Sequence, residues 1–472
     1  MDEIGSADAT PGWAAVLGGG RGFRIGQLML VIVLHAGGNY MVVTLAPSIV
    51  AEVGGGVLLG ALTALFNVAT ILAAVSVGAL ASRWGTGMLL RCMALACVVG
   101  GLLSATANAM PMVAVGRAVA GFGGGGLVAL AFIALRAQGT AAAWPKISAL
   151  LGIFWIGAAF AGPMLGGVLA DSVGWRVAFA LLAVAALGYA MANRGLIGAL
   201  DPSGPAEAFP LKRVLGFGSG VALVSFAPLL QPVPIALAAG AAGLALTAAA
   251  AARDRTHSPR IFPRNAFRPG TDLGRALMAK LLLGAGAMSV LIFGPILLVD
   301  VHGRSAVFAG SFVVIETLSW SSASLLIATV TAASARRLAR IGPLISLIGL
   351  VGCAVYLVDG HLPGAALAIA ACGAGLGLAW PLLGRKMVES EEVDPFRSGE
   401  RAKTMALVSS ADPLGFAIGG ALVGLVGSLA VGGVMDGAAD IERAATAGIL
   451  ASIPLTALGM WACTRALSDQ LS

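Results

Sequence analysis

The chain of 472 residues is poor in charge, because only 11% of its residues are Asp, Glu, Lys or Arg. Soluble globular proteins carry about 25% charged residues. Hydrophobic residues make up 58% of the sequence, and the mean hydropathy is +0.94. This composition excludes a soluble globular chain and predicts a polytopic membrane protein.

Cysteine and histidine are also scarce, with five cysteines and four histidines in the chain. The cysteines lie in or beside apolar runs and form neither a CxxC pair nor a Cys/His ligand pattern; they are Cys92, Cys97, Cys353, Cys372 and Cys463. We therefore expect no disulfide, no metal and no cofactor. No Ser/His/Asp or nucleotide pattern with credible geometry is visible, so the sequence does not favour an enzyme.

Long apolar runs dominate what the sequence does contain. A helix needs about 20 residues to cross a hydrocarbon core of about 30 Å. Fourteen runs meet this need, with approximate cores at 26–49, 57–81, 88–107, 111–135, 147–170, 176–193, 214–231, 233–252, 276–299, 305–330, 343–358, 363–383, 404–432 and 444–464. The seventh, eighth and eleventh runs are the shortest. The pattern predicts an all-α membrane fold of about 14 helices.

The basic residues are distributed unevenly between the two sides of these runs. If both termini are cytoplasmic, all but four of the 29 Lys and Arg lie in inside connections or near the inner ends of spans. Arg176, Arg304 and Arg443 lie outside, and Arg117 lies within a span. This asymmetry indicates cytoplasmic termini, and the Ala, Gly and Arg content indicates a bacterial cytoplasmic membrane. The net charge of +7 then favours contact with membrane lipids and not with nucleic acid.

Arg117 is the one basic residue in the middle of an apolar run, AVGRAVAGFGGGGLVALAF. An ionisable group there costs several kcal/mol unless it meets a partner or a polar cavity, so Arg117 is a functional candidate. Gly121 and the glycines at 123–126 follow it, inside a helix and not in a phosphate-binding loop. The next run contains Gly162, Pro163, Gly166 and Gly167. Small residues allow close helix packing and proline bends a helix, so these two helices are predicted to pack tightly and hinge.

Polar and aromatic side chains inside the runs predict a substrate cavity. His35 and Asn39 lie four residues apart in the first run and share a helix face, with Tyr40 beside them. They either face a cavity or hydrogen-bond a neighbouring helix, and the sequence leaves both interpretations open. Trp155 and Trp320 add aromatic surface to the predicted cavity.

Glu316 and Asp412 are the two acids deep inside apolar runs. Trp320 follows Glu316 by four residues, so the acid and the indole share a face and could hold a lipophilic cation or shield a protonated carboxyl. The alternative is an acid kept neutral or paired for packing. Lys280, near the inner end of its run, is expected to reach the membrane surface as a topological anchor.

The connection between the second and third runs resembles the signature of the major facilitator superfamily of secondary transporters. It keeps Gly78, Leu80, Ala81, Arg83 and Gly85 of that pattern. Ser82 stands where the family has an acid, and Thr86 and Gly87 stand where it has a basic pair. In the family that acid helps to latch the two halves together on the cytoplasmic side, so the latch here is expected to be weaker or differently built.

Three further stretches resemble motifs of the same family. Arg117 with Gly121 is similar to its fourth-helix motif, AGPMLGG is similar to the fifth-helix motif of exporters, and Trp175 with Arg176 is similar to the start of helix six in drug and proton antiporters. Two additional runs before a basic SPRIFPRNAF segment resemble the fourteen-span branch of those antiporters. The chain departs from that branch near Gly38, where the first helix lacks the expected acid.

Echoes between the two parts of the sequence predict two homologous halves. In ARRLARIGPL, Arg340 and Gly342 are expected to correspond to Arg83 and Gly85 of the first half. The segment CGAGLG at 372–377 is similar to the glycines after Arg117, and DPLGFAIGG at 412–420 is similar to GPMLGG. The predicted organisation is a cytoplasmic tail (1–25), a six-helix half (26–194), a linker with two inserted helices and a basic loop (195–275), and a second six-helix half (276–472). The uncharged inserted helices are expected to lie at the periphery.

The resemblance implies a monomeric secondary active transporter that uses a proton gradient to export hydrophobic or amphipathic small molecules by alternating access. Glu316, Asp412 and Arg117 are expected to couple protons to transport. The conformational motifs are expected at Gly78, Arg83, Gly85, Gly121, Gly162, Pro163, Gly166, Gly167 and Arg340. The alternative is a transporter dedicated to one endogenous lipid, metabolite or nutrient.

Overall fold

Helices follow from the apolar runs, because a backbone inside a bilayer must satisfy its own N–H and C=O groups. The computed structural model describes residues 11–54, 59–138, 141–200, 209–304, 306–390, 398–433 and 437–468, and these ranges contain helices and no strand. The first helices are α1 (Trp13–Leu17), α2 (Arg21–Val53), α3 (Leu59–Ala105), α4 (Met110–Ala137), α5 (Trp144–Ser172), α6 (Trp175–Gly198), α7 (Leu211–Phe226) and α8 (Val233–Thr256). They are followed by α9 (Asp272–Ile296), α10 (Ala306–Thr329), α11 (Ala332–Gly352), α12 (Leu362–Glu389), α13 (Ser398–Val431) and α14 (Ala438–Ala466). The prediction of an all-α polytopic membrane fold is confirmed.

The second and third predicted runs form one helical stretch, α3, that reverses direction at Gly85. This residue has φ +73° and ψ 155°, a backbone conformation that glycine adopts without a steric cost. The connection between these two runs is therefore a sharp reversal. Residues 57 and 58 of the second run lie outside the described part of the chain, as do residues 1–10 of the predicted tail.

Thirteen helical stretches in the described ranges are long and apolar enough to cross a membrane: α2, the two segments of α3, α4 to α6 and α8 to α14. The seventh predicted run is the exception. Its helix, α7, has 16 residues, which at about 1.5 Å each is shorter than a hydrocarbon core. A 3-10 turn from Ala227 to Leu229 prolongs it.

Glycines fix the packing of the two halves in the same way. In the first half, Gly121 and Gly125 of α4 lie against the backbone of Phe66 and Thr70, one turn apart on α3. In the second half, Gly373 and Gly377 of α12 lie against the backbone of Glu316 and Trp320 on α10. No side chain fits between these backbones, because a Cβ at Gly121 or Gly125 would lie 2.5 Å from a carbonyl oxygen. The predicted echo between the fourth helices of the halves is therefore a repeated contact.

The fifth helices repeat a contact as well. Gly162 and Gly166 of α5 lie against the backbone of Gly37 and Met41 on α2. Gly415 and Gly419 of α13 lie against Leu281 and Ala285 on α9 in the same order. These two pairs of helices therefore have corresponding places in the two halves.

The proposed echo of Arg83 and Gly85 at Arg340 and Gly342 is wrong. Gly85 lies at the α3 reversal, whereas Gly342 lies inside α11 and packs against the backbone of Gly375 on α12. Met93 of α3 makes the matching contact, since its carbonyl oxygen lies 2.5 Å from where a Cβ of Gly123 would be. The two similar sequence segments therefore lie at different depths in their helices.

The inserted helices pack on the outside of the junction between the halves. α7 contacts α3 and α13, and α8 contacts α7 and α13. A Cβ at Gly218 of α7 would collide with Leu72 of α3, and one at Gly424 of α13 would lie 3.1 Å from Pro228. The pair thus bridges the two halves along one seam.

The halves meet closely at one end of the bundle. We call this the basic end; it includes the α3 reversal, the start of α5 and the end of α10. Here a Cβ at Gly78 would lie 2.7 Å from Ala406 of α13, and Ser321 of α10 donates to the carbonyl oxygen of Gly152 on α5 at 3.0 Å. Towards the opposite end, a Cβ at Gly167 of α5 or at Gly310 of α10 would have no atom within 4 Å. In the described residues, the two halves are therefore packed together at the basic end.

Candidate functional site

Arg117 is buried in the first half, with 2% of its surface exposed. Its Nη2 donates to Asn39 Oδ1 at 2.6 Å, and its Cζ lies 3.9 Å from the ring centroid of Phe66. Its Nε has no hydrogen-bond partner in the described structure. The guanidinium is therefore held by one amide and one aromatic face, with no carboxylate paired to it in the described ranges.

His35 takes part in the same cluster. Its ring stacks on Phe66 with centroids 4.8 Å apart, and its Nε2 lies 3.4 Å from Thr70 Oγ1. Gly124 leaves the space that His35 fills, because a Cβ there would collide with His35 Nδ1. His35 and Asn39 do share a face, and this face packs against α3 and α4. Of the two interpretations left open by the sequence, the structure favours hydrogen bonding to neighbouring helices.

Glu316 is a buried acid of α10, and its backbone packs against Gly373 of α12. Its side chain is buried, with 4% exposed, and it forms no hydrogen bond or ion pair with any residue that the structure describes. Tyr40 of α2 lies within electrostatic range of its carboxyl group. Glu316 of the second half therefore lies close enough to Tyr40 of the first half for their electrostatic interaction to matter.

Asp412 has a partner that the sequence did not predict. Lys280 of α9 lies 2.8 Å from its Oδ1, and Trp380 Nε1 of α12 donates to its Oδ2 at 3.1 Å. The expectation that Lys280 reaches the membrane surface is wrong, because its side chain is 4% exposed. A buried ammonium is far more stable beside a carboxylate than alone, and this attraction holds Lys280 inside the bundle.

Three tryptophans add aromatic surface near these groups. Trp320 packs edge-on against Trp380 with ring centroids 4.9 Å apart, and Lys280 Nζ lies 4.8 Å from the Trp380 centroid. On α5, Gly152 meets α10 and Ala158 meets α2. Trp155 lies between those two directions around the helix axis, and its side chain is 37% exposed. It therefore borders the space between α2 and α10.

The predicted conformational residues occupy several kinds of place. Gly78 permits the contact between α3 and α13, Gly85 forms the reversal, and Arg83 is exposed beside it. Pro163 lies within α5 between the close contacts of Gly162 and Gly166, and Gly167 directly follows Gly166. Arg340 donates to the carbonyl oxygen of Leu467, so it joins α11 to the end of α14. The side chain of Ser82 lies outside the described residues.

Sequence reasoning missed Phe66, Lys280 and Trp380 as parts of the site. Phe66 carried no signal, since a phenylalanine in an apolar run is ordinary. Lys280 did carry one, because it lies well inside its helix, eight residues after Asp272. A lysine at that depth is a candidate for pairing with a buried acid.

The sequence has a family match and a relative that spans most of its length. Residues 28–390 match the family described as Major Facilitator Superfamily. A protein described as a probable multidrug-efflux transporter of Mycobacterium tuberculosis strain H37Rv is 26% identical over 445 residues, which cover 90% of this chain and 92% of the relative.

Solved structures share the fold. The human organic anion transporter MFSD10 superposes with a TM-score of 0.67 over 93% of this chain and 98% of that chain, at 16% identity. A proton:xylose symporter, XylE, superposes with a TM-score of 0.59 over 93% and 95% of the two chains, at 17% identity. At such low sequence identities, these similarities show the fold alone.

Proposed function

We propose that this chain, which belongs to the major facilitator superfamily, exports hydrophobic or amphipathic small molecules in exchange for protons. It would act as a monomer in a bacterial cytoplasmic membrane, with both termini in the cytoplasm and with the proton gradient as its energy source. The multidrug-efflux relative and the exporter-like glycines of α5 support this direction and cargo.

The observation that carries the proposal is the isolation of Glu316. A carboxyl group buried without a hydrogen bond or an ion pair is costly when charged, so its environment favours binding a proton. Contact with water, once the halves part around it, would favour release. A group that changes its protonation with the conformation can couple a proton gradient to alternating access.

Asp412 is the second candidate for proton coupling and differs from Glu316 in its surroundings. Lys280 forms an ion pair with its carboxylate, and Trp380 donates a hydrogen bond to one of its oxygens. A proton that binds Asp412 must compete with Lys280, whereas a proton that binds Glu316 displaces no partner seen in the described residues. We therefore place the main coupling step at Glu316 and a supporting one at Asp412.

Arg117 provides a fixed positive charge in the first half. Guanidinium groups stay charged at physiological pH, so Arg117 can respond electrostatically to changes elsewhere in the interior without titrating. Its one hydrogen bond from Nη2 to Asn39 and its contact with Phe66 leave the charge weakly compensated. We propose that this charge biases which end of the bundle opens.

Tyr40, Trp155 and Trp320 would border the cargo. They combine aromatic faces with few hydrogen-bonding groups, which suits hydrophobic and amphipathic molecules better than sugars or other strongly polar solutes. A transporter dedicated to one endogenous lipid, metabolite or nutrient remains the alternative. It is favoured by Gly38, which packs against Leu182 of α6 where antiporters of this branch have an acid.

The test compares two transport modes in proteoliposomes with a panel of amphipathic compounds. Counterflow exchanges substrate for substrate and needs no net proton movement, whereas uphill export needs the pH gradient. Glu316→Gln should keep counterflow and lose uphill export, and Arg117→Ala should lose both while the protein accumulates normally. Glu442→Gln, which changes an exposed glutamate of α14, is the matched control and should keep both modes.

Uphill export that survives in Glu316→Gln, in Asp412→Asn and in the double variant would contradict proton coupling through these acids. Transport of one compound alone from the panel would favour the dedicated transporter.

A further inference from the structure

A buried cation at the start of α5 is held by the opposite half of the protein. Lys146 is 6% exposed, and its ammonium donates to the carbonyl oxygen of Ala328 at 2.8 Å. Ala328 lies in the last turn of α10, where carbonyls lack partners in their own helix and the helix dipole favours a cation. The N-terminal end of α5 disfavours the same charge. Lys146 therefore gains its stabilisation from α10 and not from its own helix.

The short helix α1 lies against the same ammonium. The ring centroid of Trp13 is 5.4 Å from Lys146 Nζ, which is within the range of a cation–π interaction. Val16 is buried, and Arg21 donates to the carbonyl oxygen of Ala15 at 3.0 Å, so α1 is fixed against the bundle. No acid is paired with Lys146 in the described ranges. Its charge is held by one carbonyl and one ring.

Apolar packing surrounds this contact. Val16 of α1, Trp144 and Ile147 of α5 and Ile327 of α10 are buried, and all four belong to the large hydrophobic cluster that runs through most of the bundle. A Cβ at Gly384 of α12 would lie 2.6 Å from Trp144 Nε1, so the cluster also rests on the second half. In such surroundings a hydrogen bond from an ammonium is stronger than it would be in water.

The contact can exist in only one of the two states that alternating access requires. α5 and α10 meet at the basic end, whereas Gly167 and Gly310, towards the opposite end, face open space. Opening the basic end must separate Lys146 from Ala328 and leave both groups to water. An interaction made in one state alone shifts the equilibrium between the states by its own free energy.

We propose that Trp13 of α1 and Lys146 of α5 form a lock that holds the basic end closed, so that the N-terminal helix regulates how often this end opens. The lock joins α5 to α10, whereas the family signature that Ser82 departs from concerns the connection inside α3. It therefore offers another means of closing the same end. The inference requires alternating access but neither the proposed proton coupling nor a particular cargo.

The test measures the two conformations directly by electron–electron resonance between nitroxide labels, in a background without the five native cysteines. Labels at the exposed positions Trp84 and Ile341 report the basic end, and labels at Val173 and Leu429 report the opposite end. Trp13→Ala, Lys146→Met and Lys146→Arg are the variants. Trp461→Ala is the matched control, since its ring lies 5.0 Å from the Arg465 guanidinium within α14.

Trp13→Ala should raise the ratio of open to closed basic ends about fivefold, and Lys146→Met should raise it about tenfold. Lys146→Arg should stay close to the unaltered protein, because a guanidinium can still donate to Ala328, and Trp461→Ala should change nothing. Unchanged distances in Trp13→Ala would overturn the proposal, and this variant decides the outcome if Lys146→Met fails to fold. An equal shift in Trp461→Ala would also overturn it.

Discussion

The two halves of the bundle share their backbone contacts but differ in their ionisable groups. Gly121 of α4 and Gly373 of α12 make the same contact, with Phe66 in one half and Glu316 in the other. The aromatic residue that stacks on His35 and Arg117 in the first half is thus replaced by an isolated acid in the second. The two halves therefore share the positions at which their helices touch but differ in the chemistry of the side chains beside these contacts.

The same register explains the other charged groups. Arg117 lies one turn before Gly121, and the corresponding position one turn before Gly373 is Ile369. In the second half, Lys280 and Asp412 lie beside the contact of Gly415 with Leu281. The corresponding contact in the first half joins Gly162 to Gly37, and the residues beside it are Ala36 and Ala159. Each half therefore carries charges where the other is apolar. A symmetric shell with asymmetric charges lets one half hold a fixed cation and the other respond to protons.

The largest expected effect comes from breaking the shared contacts. Gly121→Val and Gly373→Val each force a side chain against a carbonyl oxygen, and we expect each to lower the free energy of unfolding by about 3 kcal/mol. Gly188→Val is the control, because a Cβ there meets no atom within 4 Å. Thermal unfolding of the purified variants in detergent measures the loss. A large loss in one half and none in the other would contradict the equivalence of the halves.

A smaller effect should follow from removing a charge found in one half only. Lys280→Met leaves Asp412 without its ion-pair partner, and we expect it to cost about 2 kcal/mol of unfolding free energy because Asp412 is partly exposed. Adding Asp412→Asn to Lys280→Met should recover most of this loss, since the pair then resembles the apolar first half. Chemical unfolding of the single and double variants measures both steps. A double variant no more stable than Lys280→Met would show that the pair acts through packing and not charge.

The smallest effect is expected at the end opposite the basic end. There, different side-chain contacts join the helix ends within each half. In the first half, Glu52 at the end of α2 forms an ion pair with Arg176 and accepts a hydrogen bond from Trp175 Nε1 at 2.7 Å. In the second half, His302 Nε2 instead donates to the carbonyl oxygen of Leu357 at 2.9 Å. Only the first of these ties depends on a carboxylate.

Hydrogen bonds from Arg176 and Trp175 lower the pKa of the Glu52 carboxyl. Its contribution to stability is therefore fully present above the usual glutamate pKa of about 4.3 and is lost as the pH falls through the lowered value. Glu52→Gln should melt slightly below the unaltered protein at pH 7, and the two should converge in acid. The control Glu442→Gln changes an exposed acid of the second half and should show no such convergence. A difference that persists in acid would mean that the tie does not depend on the charge.

The sequence alone determined the class of the protein, the positions of most helices and the glycines that bring them together. These features are local, because the length of an apolar run, a small residue and a reversal such as that at Gly85 each act within a few residues of chain. Arg117 and Glu316 were also identifiable, since a charge in an apolar run is costly wherever the helix lies.

The tertiary structure alone decided which side chains meet. Lys280 and Asp412 lie 132 positions apart in the printed sequence, and Trp13 is as remote from Lys146. Their contacts depend on how far each helix is rotated and shifted against its neighbours, which the glycine contacts between backbones set. The depth of Lys280 in its helix indicated that its charge needed a partner, but it did not indicate that the partner is Asp412 on another helix. A partner across helices is invisible to any pattern within one of them, and the balance between burying a charge and pairing it is settled only once the helices pack.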